Sequence, residues 1–133
     1  MIRRILKRED GQGVVEMAFI LPLILVIIVG VIEVGDSMNA YITLVDSARD
    51  GARLGSKNVA TDDDIKHLVM IETDRLRDDI AADDITITHT TVDGKEAIRV
   101  EVCNDRSLIM NIPLVMPDSF RMCSTTTMRV LPG

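Results

Sequence analysis

The alternation of apolar and polar positions changes twice along this chain, and each change marks a different kind of structure. From Met17 to Ile32 there is no charged residue. As a helix, the segment from Val14 to Gly35 would be about 33 Å long at ~1.5 Å per residue, enough to cross a hydrocarbon layer of ~30 Å. The helical period continues beyond it, with Met38, Tyr41, Ile42, Val45, Ala48 and Ala52 spaced i, i+3, i+4, i+7. Asp46 with Arg49, and Asp50 with Arg53, supply charge pairs on the other face. The pattern predicts one helix from Val14 to about Ser56, roughly 64 Å long. Its end carries Gly51 and Gly55, which read equally as close-packing positions or, for Gly55, as a helix stop.

Thr61 then opens a second helix. Asp62, Asp63 and Asp64 fill its first turn, and Thr61 with Asp64 forms a capping-box pattern at the positive end of the helix dipole. A calcium loop is the alternative for this acidic run, but the alternating ligand spacing and central Gly are missing. Ile65, Leu68, Val69, Glu72 and Leu76 continue the period, and Ile80 completes it.

From Asp84 the period becomes two. Ile85 and Ile87 alternate with threonines, and Ile98, Val100 and Val102 alternate with Arg99 and Glu101. Asp93-Gly94 between them is a favoured two-residue hairpin turn. It pairs Val92 with Lys95, Ile87 with Val100 and Ile85 with Val102, so the apolar residues share one face. Residues 104 to 118 hold Leu108, Ile109, Met110, Ile112, Leu114, Val115 and Met116, broken by Pro113 and Pro117, which predicts an apolar crossover loop that closes the core or meets another subunit. A last strand follows from about Phe120 to Val130. In it Cys123 shares its phase with arginines, as Cys103 does in the strand before. Neighbouring strands would bring the two thiols together on the outer face, closing a loop of roughly 20 residues worth about 3 kcal/mol in the chain-entropy model. The pair fits a disulfide only outside the cytoplasm.

Charge sets the orientation. Arg3, Arg4, Lys7 and Arg8 precede the apolar run, while Glu33 and Asp36 follow it. The positive-inside bias therefore keeps the N-terminus in the cytoplasm and sends the rest across the membrane. A cleavable secretory signal is the competing reading, but its apolar core is typically ~7 to 15 residues, shorter than this run. The net charge is −6, and without residues 1–11 it is −8, a balance that argues against nucleic acid as a partner. The chain has no Trp, one Tyr and two Phe, which supplies no stacking platform for bases. The organisation expected is a basic leader over 1–11, a transmembrane helix over 12–35, its continuation over 36–58, and an α+β head over 59–133.

No catalytic constellation is present in the sequence. His67 and His89 lack the companions of a zinc site, and there is no phosphate loop or nucleophile elbow. The acid pairs Asp78-Asp79 and Asp83-Asp84 read as solvated faces. The expectation is a non-enzyme with no metal and no cofactor. Glu16 stands apart: a carboxylate inside a membrane helix costs up to ~3 kcal/mol at the centre, so it either sits hydrated at the headgroups or has a partner.

The run Gly11-Gln12-Gly13-Val14-Val15-Glu16-Met17-Ala18-Phe19-Ile20-Leu21-Pro22 resembles the N-terminus of TadE-like minor pilins (pseudopilins) of the Flp/Tad pilus, within the type IV pilus superfamily. Met17 stands where an aromatic residue is usual. A second block, Ala48-Arg49-Asp50-Gly51-Ala52-Arg53, is similar to the segment that ends the long helix in that family. The resemblance implies a prepilin leader cut by a prepilin peptidase after Gly11, leaving Gln12 as the new N-terminus and Glu16 as its fifth residue. Gly13 is the rival cut, but it would put Glu16 third. Glu16, Met17 and Pro22 become the residues of recognition and assembly. The implied partners are the inner membrane, the peptidase, a TadF-like minor pilin, the major Flp pilin and the assembly platform.

The fold class expected is therefore α+β and pilin-like, with a long N-terminal transmembrane and stem helix, a second helix, and a small antiparallel sheet in a periplasmic head. The function expected is that of a minor pilin used in pilus assembly or initiation. The alternative is a bitopic periplasmic binding or sensing module that never enters a pilus.

Overall fold

A computed structural model of the chain describes residues 9–57, 59–109 and 118–131, with side chains from residue 13 onward. The basic residues Arg3 to Arg8 and the prolines Pro113 and Pro117 lie outside the described residues. The element order is α1 (Glu9–Gly55), α2 (Asp62–Thr73), a single 3-10 turn (Ala82–Asp84), β1 (Ile85–Val92), β2 (Lys95–Ser107) and β3 (Ser119–Arg129). The fold is α+β, as the change of period predicts.

α1 is one helix of 47 residues, about 70 Å long at ~1.5 Å per residue. Its described part begins at Glu9, before Val14. Pro22 lies inside it. Proline removes one backbone donor, a loss that membrane helices tolerate.

The upper half of α1 is the spine of the head, but the face it buries differs from the predicted one. Met38, Tyr41 and Ile42 are 46 to 58% exposed. Of the predicted stripe Ala48 and Ala52 are buried as expected, and Ala40, Leu44, Ser47, Gly51 and Gly55 join them on the core face. This stripe is turned by roughly 90° from the predicted one, at 100° per residue. Small side chains win because they let α1 lie close to its neighbours. A Cβ on Gly51 would stand 3.0 Å from Val69 Cγ2, and one on Gly55 would meet Ile65 Cδ1 at 2.8 Å and collide with Ile98. Gly55 keeps a helical backbone, since Gly94 is the one described glycine with positive φ. Close packing therefore accounts for Gly55.

α2 starts as its sequence predicts. The Thr61 hydroxyl accepts the Asp64 amide at 3.3 Å, and the Asp64 carboxylate accepts the Thr61 amide at 2.9 Å. The Thr61 amide first, and then the Thr61 hydroxyl donating to the same carboxylate at 2.8 Å, hold the Asp64 carboxyl below its usual range. The helix stops at Thr73, short of the predicted Ile80. Leu76 and Ile80 still reach the core at 7% exposure, carried there by a turn in which the Leu76 amide donates to the Thr73 carbonyl.

The three strands form an antiparallel sheet in the order β1-β2-β3. The hairpin register is the predicted one: Val92 opposite Lys95, Ile87 opposite Val100, Ile85 opposite Val102. Asp93 and Gly94 have φ of 53° and 73°, as a tight primed turn requires. The sheet lays Ile85, Ile98, Val100 and Val102 on Ile65 and Val69 of α2 and the Ala40–Ala52 stripe of α1. One expectation fails here. β2 does not end near Val102 but runs to Ser107, so residues 104–107 are strand and not crossover loop. They pair with Ser119–Met122 of β3, which gives their backbone groups partners.

Candidate functional site

The described part of the lower helix is bare. From Gly13 to Ile28 every side chain is exposed, with Met17 at 65% and Phe19 at 77%. None of the most apolar 18-residue window is buried, and the helix is long and apolar enough to cross a membrane. A surface of this kind in water would be an aggregation site; lipid or other apolar helices match it. Gly11 and Gln12 lie within α1. Glu16 is exposed, with no ion-pair or hydrogen-bond partner among the described residues. Met17 and Pro22 follow it on the same free segment. These five residues are gathered at one end of α1, away from the cysteines in the head.

Where α1 leaves its charge-free run, the head closes around it through an ionic collar. In β2 the core-facing phase of Ile98, Val100 and Val102 continues into Asn104 and Arg106. Arg106 is 1% exposed and pairs with Asp36 of α1 and, at 3.8 Å, with Asp78. Arg77 reaches Asp36 at 3.2 Å and Asp78 at 3.7 Å, and donates to the Ser107 carbonyl. Asp78 also accepts the Ser107 hydroxyl at 2.8 Å, while its backbone carbonyl accepts the Asn104 amide group at 3.0 Å. Glu33 accepts the Ile109 backbone amide at 2.8 Å. Asp78, expected to be a solvated acid, is thus a central member of the collar. The signal available in the sequence was the phase of β2, which places Arg106 inward and calls for an anion there.

Cys103 and Cys123 are directly opposite in the β2–β3 register, with Cα atoms 4.1 Å apart and their sulfurs joined. Cys103 is buried and Cys123 exposed, on the face away from α1. The Glu101 carboxylate lies beside them, but bonded sulfurs offer no thiolate to a metal. His89 contacts Asp62 at 3.0 Å on the exposed surface, and His67 is exposed. On α1 and α2, Asp46, Asp50 and Glu72 line a cleft of about 340 Å³ with Arg75. Partial burial, then Asp50 and Asp46, raise the Glu72 pKa. None of these groups supplies a nucleophile beside a base.

Residues 11–53 match the family model described as TadE-like protein. No curated protein and no solved structure gave a match. The matched stretch begins at Gly11 and covers both the exposed apolar half of α1 and most of the half that packs the head. It is consistent with a TadE-like pilin-type protein, a structural family associated with the Tad pilus.

Proposed function

We propose that this chain is a structural subunit of a Tad pilus, held in the inner membrane by α1 with residues 1–11 in the cytoplasm and the head in the periplasm. A prepilin peptidase cuts after Gly11, which frees the amine of Gln12 and makes Glu16 the fifth residue of the mature chain. The mature subunit then joins a TadF-like minor pilin and the major Flp pilin on the assembly platform.

The observation that carries this reading is α1 itself. One uninterrupted 47-residue helix presents a bare apolar half and builds the core of the head with the other. A soluble domain gains nothing from that exposed half, whereas a subunit that passes from lipid into a helical bundle keeps it covered in both places. Glu16 supports the reading as well. With no ion-pair or hydrogen-bond partner among the described residues, it is available to the free amine of a neighbouring mature subunit, an attraction strengthened by the low dielectric around it. The disulfide-bonded sheet fits a head on the oxidising side of the membrane.

N-terminal sequencing and intact-mass measurement test the cleavage. Chain isolated from peptidase-containing cells is expected to begin at Gln12, and chain from peptidase-deleted cells at Met1. Retention of Met1 in both would remove the pilin reading and favour a permanently anchored binding module.

A further inference from the structure

We propose that the head rests on the bilayer its own stem crosses, with Ile109, two residues beyond the end of β2, immersed in the lipid interface. The inference builds on the reading of α1 as a membrane span and adds a second lipid contact, made by the head.

The position of Ile109 along the stem is fixed by one hydrogen bond. Its backbone amide donates to Glu33, the first charged residue after the apolar run. Glu16 and Glu33 are separated by about 26 Å of helix at ~1.5 Å per residue, slightly less than the ~30 Å hydrocarbon layer. Two carboxylates at that spacing settle with one near each face. Glu33 is then at the periplasmic interface, and Ile109 is held at the same level.

The surroundings of Ile109 agree with that depth. Its side chain is 51% exposed, and on the helix beside it Val31, Ile32 and Val34 are 54 to 68% exposed. Polar groups begin immediately above, with Asp36, Arg77, Asp78 and Arg106 paired among themselves in the collar. The result is a sharp boundary: exposed apolar side chains on two different elements below, neutralised charges above. An apolar group at a lipid interface gains by burial among acyl chains, which is the ordinary basis of interfacial anchoring. The occupant is the glycerol and upper acyl region of ordinary phospholipid, without preference for a headgroup.

The absence of tryptophan from the sequence makes the test direct. The full chain is placed in phosphatidylcholine nanodiscs with bromines either high on the acyl chains or at their ends, and single tryptophans are introduced one at a time. Leu25→Trp should be quenched most by the deep bromines, Ile109→Trp most by the shallow ones, and Val59→Trp, at the far end of the head, by neither. Quenched Leu25→Trp with unquenched Ile109→Trp would overturn the head contact while leaving the span in place. Unquenched Leu25→Trp would overturn the span and the contact together. The unaltered chain gives a second readout that no substitution can compromise. A phospholipid with a photoactivatable group near the glycerol should label the peptide containing Leu108 and Ile109, and labelling of the stem alone would reject the contact.

Discussion

Replacing Arg106 by leucine is expected to destabilise the head by about 3 kcal/mol, near the lower end of the range for removing one partner of a buried ion pair. The guanidinium is almost wholly buried, while Asp36 and Asp78 keep 33% and 22% of their side-chain surfaces exposed. Leucine fills part of the space but leaves the two carboxylates sharing Arg77 as their one remaining cation among the described residues. Their remaining hydration softens the penalty, which is why the lower end applies. For a domain of this size the shift in Tm is on the order of 15 °C. Arg106→Lys should recover only part of the loss, because one ammonium cannot serve Asp36 and Asp78 in the fixed fork geometry of a guanidinium. Thermal unfolding of the full chain in detergent micelles, followed by circular dichroism, measures both variants. A Tm change of only a few degrees in Arg106→Leu would show that Arg77 and water already satisfy the two carboxylates and that Arg106 does not hold the head to its stem.

Loss of Glu16 should have the largest effect on assembly and almost none on the fold. The side chain is exposed, with no hydrogen-bond or ion-pair partner among the described residues, so Glu16→Ala leaves the head unchanged and makes the apolar segment easier to insert. If its carboxylate meets a neighbouring subunit's terminal amine, removing it forfeits a few kcal/mol of subunit attraction. At about 1.4 kcal/mol per tenfold, incorporation falls on the order of a hundredfold. Glu16→Gln separates charge from hydrogen bonding, since it keeps the shape and loses the charge. Both variants should remain in the membrane fraction, and both should fail to pilate a deletion strain. Normal piliation by Glu16→Gln would mean that the carboxylate is merely hydrated at the headgroups.

The elements legible in the sequence were those set by neighbours in the chain. The hairpin could be placed residue by residue because Asp93-Gly94 fixes the turn and the alternation on either side fixes the phase. The Thr61 cap was legible because all its groups lie within one turn. What local pattern does not encode was missed. The buried face of α1 is chosen by what fits against α2 and β2, so alanine, serine and glycine outrank Tyr41 and Ile42 although they are less apolar. The end of α2 was overrun because Leu76 and Ile80 stay buried after the helix stops, preserving the apolar positions without the helix. The collar joins Asp36 to Arg106 across 70 residues, a distance at which charge pairing cannot be read from spacing. In the stem the residues carrying the family resemblance, Gly11 to Pro22, were recognisable from their order alone, and their chemistry depends on other molecules.

The central claim is that this membrane-anchored chain takes part in building a Tad pilus, and deletion of its gene tests it most directly. Cells lacking the chain, counted by electron microscopy alongside cells complemented with the full sequence, should carry no pili, and complementation should restore them. Pili of normal number and length in the deletion strain would contradict the account.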